Sequence, residues 1–411
     1  MVEYRPASLH VINPFGLIFN KSLFMTFFVR SALLFISLLS IAASAYARPV
    51  IIPAPPQLSA TAYFLMDSNT GRVLVEKNAD RLLPPASMTK MMTSYIVSSE
   101  IERGSINPND LVTISVKAWK KGGSKMFVRE GTQVTVKDLL RGLIIQSGND
   151  ASIALAEHIA GSEQAFADIM NQQAAILGMT KTSFKNATGW PADGHISTVR
   201  DLAILGRALI KDFPEHYKLY SEKYFTYNGI NQPNRNRLLF TDKSVDGVKT
   251  GHTEEAGFGL TASSEREGMR LISVVTGTKS ESARASSSQK LLSYGFRYYY
   301  THKLYNKGDI VNTAVVWKGQ ADKVQIVLPK DIYLTVPRGS ENDLQATVHI
   351  DEVIKAPISE GQELGNIVVT LGDEELLNVA VVALTAIEEA GVFSRMIDSV
   401  KLFFGGFFSA K

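Results

Sequence analysis

Cysteine is absent from the 411 residues of this chain. Its absence excludes a thiol nucleophile, thiolate metal ligands and a disulfide framework. Histidine is scarce and scattered: the seven are His10, His158, His195, His216, His252, His302 and His349, with no HExxH and no close pair. No metal-ligand motif is left, and neither a metal nor an organic cofactor is expected. No serine sits in a GxSxG, so a serine–histidine–acid elbow is unsupported. A net charge of +3 with no long basic block offers nucleic acid no footprint. An enzyme made from what remains uses a serine or threonine hydroxyl with lysine.

What is present fits a globular protein, with 45% hydrophobic and 20% charged residues. The length exceeds what one core usually supports, so two domains are expected. Arg30 precedes the apolar run SALLFISLLSIAA and then Ala45-Tyr46-Ala47. The small residues fit cleavage after Ala47, and residues 1–47 read as a signal peptide. Met25–Arg30 makes a conventional n-region by itself, which marks Met25 as an alternative start. An uncleaved anchor is the other reading, although the run falls short of the ~20 apolar residues a span needs. In both cases the mature protein faces outward.

Residues 61–80 read as a hairpin around Asp67-Ser-Asn-Thr-Gly71. Helical periodicity covers Ser87–Glu102 and Val136–Ile145, breaks at Ser147-Gly148-Asn149, and resumes until Gly161. Further helices are expected over Glu163–Leu177, Thr198–Lys211 and Ser282–Gly295, and strands over Val245–Thr250, Gly257–Ser263 and Arg270–Gly277. Strands flanking a helical middle indicate an α/β sheet made from both ends of the domain. From about residue 304 to 390 the pattern turns to short alternating runs, a separate small all-β domain. Residues 391–411 place Phe393, Met396, Ile397, Val400, Phe403, Phe404 and Phe407 at helical spacing. This terminal amphipathic helix, expected to break at Gly405-Gly406, reads as an interfacial membrane anchor, with a helix docked on the protein as the other reading.

Ser87-x-x-Lys90 at a helix start puts a hydroxyl and an amine on one face. Taken singly such a pattern is weak: Ser287-Ser288-Gln289-Lys290 also fits, as do the S-x-N triplets Ser105-Ile106-Asn107 and Ser340-Glu341-Asn342. Order and context decide. Only the first pair is followed by Ser147-Gly148-Asn149 between helices and then by Lys249-Thr250-Gly251 at a strand end. Lys90 serves as a base only if its pKa falls from about 10.4. Burial and a second cation, Lys249, both push it down. The helix start also favours an anion developing beside Ser87. The bland alternatives are a solvating Lys90, a gatekeeper Lys249 on an edge strand and a helix-capping Asn149.

With these residues the chain resembles the serine penicillin-recognising enzymes, and more closely the low-molecular-mass D-alanyl-D-alanine carboxypeptidases of the penicillin-binding protein 5 type. SMTKMMTSYIV, QSGNDASIALAEHIAG, VDGVKTGHT and KLLSYGFRYY carry the likeness, which covers nearly the whole mature chain. The resemblance implies a β-lactamase/transpeptidase-like catalytic domain over 48–303, a sheet flanked by a helical cluster, then the β-rich domain 304–390 and the anchor helix 391–411. It implies removal of the terminal D-alanine from peptidoglycan stem peptides through an acyl-enzyme on Ser87, inhibition by β-lactam antibiotics, a role in cell-wall maturation and cell shape, and a periplasmic location on the inner membrane. Ser147 would relay a proton to the departing amine and Asn149 would orient the substrate amide. The backbone N–H groups of Ser87 and His252 would form the oxyanion hole. Lys249, Thr250 and Arg235, with Arg237 the alternative in NRNR, would hold the terminal carboxylate beside Gly251.

Three rivals remain. A β-lactamase needs a glutamate on the loop after the second motif, and NATGWPADGHISTVRD has none. A DD-endopeptidase would use the same machinery. A non-catalytic wall-binding scaffold has no need of Ser87, Lys90, Ser147 and Lys249 together.

Overall fold

A computed structural model describes residues 51–408, with side chains through residue 403. The signal-peptide reading of residues 1–47 lies outside the described residues.

The chain opens with a hairpin, β1 (Ala62–Asp67) and β2 (Val73–Lys77). Asp67 Oδ1 accepts from the N–H and the hydroxyl of Thr70 at 2.7 and 2.8 Å, and Gly71 takes the left-handed conformation that ends the turn (φ 80°). Five helices of ten residues or more follow: α1 (Lys90–Glu102), α2 (Val136–Ile145), α3 (Asn149–Ala160), α4 (Glu163–Ile176) and α5 (Val199–Asp212). Thr135, Ser162 and Thr198 cap the first turns of α2, α4 and α5 by accepting backbone N–H bonds, and Gly161 ends α3 in the left-handed region. Then come β3 (Val245–Thr253), β4 (Gly257–Arg266), β5 (Met269–Thr278) and α6 (Glu281–Tyr298).

The five strands form one sheet in the order β2-β1-β5-β4-β3, with β1 antiparallel to β5 from Ala62↔Thr276 to Asp67↔Leu271. Both ends of this region therefore contribute strands, as the pattern predicts. Every residue of β1 is buried, because the sheet is covered on both faces. Phe64 and Met66 point with Ile272 and Val274 into the core shared with α1–α5. Tyr63 and Leu65 point with Leu271 and Val275 into a second core with Leu291 and Leu292 of α6. The period of two along β1 and β5 thus sorts one strand pair between two cores.

The remaining strands are β6 (Tyr299–Tyr305), β7 (Ile310–Trp317), β8 (Lys323–Val327), β9 (Ile332–Pro337), β10 (Leu344–Ile350), β11 (Ile354–Lys355), β12 (Glu363–Leu371) and β13 (Glu374–Ala383). Six make a sheet in the order β10-β12-β13-β8-β7-β11, while β6 pairs with β9. β6 runs across the 303/304 position where the sequence suggests a boundary. Two short hairpins, Leu111–Thr113 with Gln133–Thr135 and Tyr224–Tyr227 with Ile230–Pro233, were not expected from the pattern. Strands of three or four residues carry too little alternation to read.

The terminal helix α7 (Val392–Phe408) is continuous through Gly405-Gly406, which corrects the expected break: a helical glycine costs about 1 kcal/mol and does not by itself end a helix. Its apolar residues face outward, Phe393 at 77% and Phe403 at 67% exposure. On its polar side Asp398 Oδ2 accepts the Lys318 N–H at 2.8 Å. Among the described residues no helix is long and apolar enough to cross a membrane.

Buried Asp67 ties the first hairpin to β6 and β9. Its Oδ2 accepts from Thr301 Oγ1 at 2.7 Å, Thr70 Oγ1 lies 2.7 Å from Thr335 Oγ1, and Arg72 Nη1 donates to Thr335 O at 2.6 Å. Removing the carboxylate strands several buried donors, so Asp67→Ala is expected to lower stability by about 3 kcal/mol. Asp67→Asn keeps an acceptor and costs less; thermal unfolding of the two variants checks the order.

Candidate active site

Ser87 lies in a 3₁₀ turn, Ala86–Thr89, and the α-helix begins only at Lys90. This corrects the expectation of an α-helix from Ser87. At three residues per turn, positions i and i+3 eclipse, so the pair is brought together more directly than an α-helix would do. Lys90 Nζ donates to Ser87 Oγ at 3.0 Å, to Asn149 Oδ1 at 2.7 Å and to Thr188 O at 2.6 Å. Lys90 is fully buried, which excludes a solvating role. Burial, followed by the neighbouring Arg235 guanidinium, pulls its pKa down to about 7; Asp150 opposes the shift and Lys121 adds to it.

Asn149 is the first residue of α3 rather than its cap, which is Gly148. Its amide instead bridges the site: Oδ1 takes the Lys90 bond and Nδ2 donates to Gly122 O at 2.8 Å. Ser147 precedes this contact by two residues in a left-handed conformation (φ 64°), its Oγ buried and without a hydrogen-bond partner among the described residues. A strained non-glycine residue with an unpaired buried hydroxyl marks a site of chemistry more often than a packing position. Asp150 anchors the facing segment, its carboxylate accepting from the N–H groups of Met126, Phe127 and Val128 at 3.0, 2.9 and 3.3 Å.

β3 brings Lys249, Thr250 and Gly251 against the serine turn. A Cβ on Gly251 would stand 3.0 Å from Pro85 O and 3.2 Å from Ala86 Cβ, so the close approach depends on glycine. Lys249 is buried, and its Nζ donates to Thr250 O at 3.2 Å. Burial, then the charges of Lys90, Arg235 and Arg284, hold its pKa well below the usual lysine range. His252 is exposed and its ring stacks on Phe258 with centroids 3.9 Å apart. Within NRNR the alternation separates roles. Asn234 and Asn236 are buried, with Asn236 Nδ2 donating to Gly247 O at 2.8 Å. Arg237 pairs with Glu281 at 2.9 Å, whereas the Arg235 charge acts on Lys90 and Lys249. The Ser287–Lys290 pair lies within α6, its serine buried and its lysine exposed.

Several contributors were not legible in the motifs. Thr188 enters through its carbonyl oxygen. Asn186 Oδ1 shapes that loop by accepting from the N–H groups of Thr188, Gly189 and Trp190 at 3.1, 2.8 and 3.1 Å; the Asn-Ala-Thr-Gly turn composition was the available signal. Arg284, buried in α6, donates from Nη1 to Gly251 O at 3.3 Å. His195 Nδ1 accepts the Lys185 N–H at 2.9 Å, which leaves Nε2–H to donate to Thr89 Oγ1 at 2.8 Å. Burial, then the nearby Lys185 and Lys90 charges, lower its pKa to about 4 and keep the ring neutral. Among the described residues no group of acidic or histidine side chains could hold a metal ion.

Gly189 (φ 79°) packs against the serine turn, where a Cβ would sit 1.8 Å from Ala86 O. Gly189→Ala is therefore expected to displace both the Ser87 turn and the Thr188 carbonyl. Acylation of Ser87 by a labelled penicillin should slow by about 100-fold in this variant, since misplacement by an ångström costs on that order.

The D-alanyl-D-alanine carboxypeptidase family matches residues 50–280, and the penicillin-binding protein 5 C-terminal domain matches residues 299–389. D-alanyl-D-alanine carboxypeptidase DacA of Escherichia coli is 43% identical over 366 residues, 87% of this chain and 91% of the relative. DacC of the same organism is 42% identical over 90% of this chain and 95% of its own length. The structure of penicillin binding protein 5 from Haemophilus influenzae aligns with a TM-score of 0.78 at 40% identity, covering 82% of this chain and all of that one. Penicillin-Binding Protein D2 from Listeria monocytogenes, in its ampicillin-bound form, aligns at 0.55 with 31% identity over 59% of this chain and all of its own. The five-stranded sheet with its helical cluster is the penicillin-binding, transpeptidase-like fold, it is followed by an all-β domain and a terminal helix, and the chain belongs to the D-alanyl-D-alanine carboxypeptidase family.

Proposed function

We propose that this serine D-alanyl-D-alanine carboxypeptidase acts through Ser87, with buried Lys90 as the base that takes its proton. The contact of the Lys90 amine with Ser87 Oγ carries the reading. As an ammonium, Nζ donates to three oxygens. After losing a proton it keeps two short bonds, to Asn149 Oδ1 and Thr188 O, and its lone pair turns to the third and longest contact, where the Ser87 hydroxyl becomes the donor. The two acceptors thus aim the base.

The substrate is the terminal D-Ala-D-Ala of a peptidoglycan stem peptide. Lys249, Thr250 and Arg235 receive its free carboxylate, the counter-charge that keeps Lys249 an ammonium and leaves Lys90 as the amine that gives up its proton. The backbone N–H groups of Ser87 and His252 stabilise the oxyanion while Ser87 attacks the carbonyl between the two D-alanines. The unpaired Ser147 hydroxyl passes a proton to the departing amine, and Asn149 orients the substrate amide through the edge not committed to Gly122. D-alanine leaves, and water frees the acyl-enzyme. β-Lactams acylate the same serine. The enzyme works outside the cytoplasm, at the periplasmic face of the inner membrane; residues 304–390 follow the catalytic domain 48–303, and the outward apolar face of the terminal helix lies on the bilayer.

Three outcomes are expected. Ser87→Ala abolishes both D-alanine release and labelling by penicillin, while kcat/KM of the wild type rises with pH through about 7 as Lys90 loses its proton and levels off above. A rate that falls as pH rises through this range would count against Lys90 as base. Removing residues 391–411 abolishes sedimentation with anionic phospholipid vesicles and leaves hydrolysis of a soluble peptide unchanged.

A further inference from the structure

The cations around Lys90 divide into two groups. Lys249 is influenced by Lys90, Arg235 and Arg284, whereas the charges that act on Lys90 include Lys121. Lys249 is carried by β3, whereas Lys121 belongs to the segment whose Gly122 O meets Asn149 at the start of α3. There its Nζ lies 4.4 Å from the centre of the Trp190 ring, an aromatic residue 43% exposed. The same end of the cleft holds Asn149. Gly122 O accepts from Asn149 Nδ2 at 2.8 Å, and a Cβ on Gly123 (φ 82°) would stand 2.7 Å from that atom and 3.1 Å from the Trp190 ring. The Lys121–Gly123 strap, Trp190 and Asn149 thus form one wall.

Lys121 has no carboxylate partner among the described residues. The acid nearest to it in effect, Glu163, is already paired with Lys117 at 2.8 Å. Asp193 and Glu255 line a cavity of about 340 Å³ together with Trp190, and neither forms an ion pair with Lys121. Partly buried, unpaired and steadied on an aromatic face, this ammonium is a preorganised donor facing where the acyl side of a peptide would run.

We propose that Lys121, steadied by Trp190, is a specificity-determining subsite for a carboxylate on the peptide segment that precedes the D-Ala-D-Ala pair. It rests on the reading of Ser87 as nucleophile and adds the second point at which the substrate is held. The cleft then grips an acidic peptide at both ends, with the terminal carboxylate on Lys249 and Arg235 and an upstream carboxylate on Lys121. Between them the scissile carbonyl lies over Ser87.

The test uses synthetic pentapeptides ending in D-Ala-D-Ala that carry glutamate or glutamine at each of the two residues preceding that pair. The wild type is expected to show kcat/KM about tenfold higher for the glutamate form at one of these positions, the size of a charge-assisted hydrogen bond. Lys121→Gln should erase the ratio, Lys121→Arg retain it and Trp190→Ala reduce it. The ratio cancels any common effect on Lys90. Penicillin should still label Ser87 to completion in every variant, at a rate that shifts with any change at Lys90, which shows that the site is intact. No acid preference in the wild type, or one that survives Lys121→Gln, overturns the subsite while leaving the nucleophile standing. Failure of the wild type to release D-alanine from any peptide overturns the catalytic reading together with the subsite.

Discussion

A lysine amine without solvent has to find oxygens to bond, and the arrangement around Lys90 follows from that need. Its three acceptors come from three places in the fold: the hydroxyl one 3₁₀ turn earlier, the side chain that opens α3, and a carbonyl in the loop after α4. Keeping such a group fully charged in the interior is costly, and the chain answers by lowering its pKa rather than by pairing it with a carboxylate. Asp150 is near enough to oppose the shift, but its oxygens are occupied by backbone N–H groups. Buried desolvation and nearby cations therefore prevail over one committed anion.

The rest of the site keeps this polar cluster in register. Glycines at 189 and 251 let two backbones approach the Ser87 turn more closely than any side chain permits, one from the loop after α4 and one from β3. Strain is accepted at the positions nearest the cluster, with Ala86 and Ser147 both at positive φ. His195 adds a neutral bridge between Thr89 and the Lys185 backbone and holds the loop that supplies Thr188 O. The sheet behind it is buried on both faces, a rigid base for side chains that must be placed within fractions of an ångström.

Distance from the site changes the balance of forces. Around Asp67 buried hydroxyls and a carboxylate join the first hairpin to β6 and β9, so that junction is polar and directional. At the terminal helix the contacts that fix it, such as Asp398 with the Lys318 N–H, lie on the polar side and leave the apolar side outward. In the proposed function that outward face meets the bilayer.

Much was readable in the chain alone. Alternation in residues 61–80 and 245–278, helical periodicity over 163–177 and 198–211, and the glycine after α3 are local signals, and the elements formed where those signals stand. Motif order likewise separated Ser87-x-x-Lys90 from the look-alike in α6, whose serine is buried and whose lysine is exposed. The 3₁₀ turn at Ser87, the uninterrupted helix through Gly405-Gly406 and the short hairpins were beyond local pattern, since packing overrides propensity over a few residues. Only the folded chain decided which oxygens surround Lys90. Its partners lie 59 and 98 residues along the sequence, and one of them is a backbone carbonyl, a group every residue carries and no side-chain pattern announces. The same holds for Lys121, one lysine among many until long-range closure sets it on Trp190 without an acid to pair with.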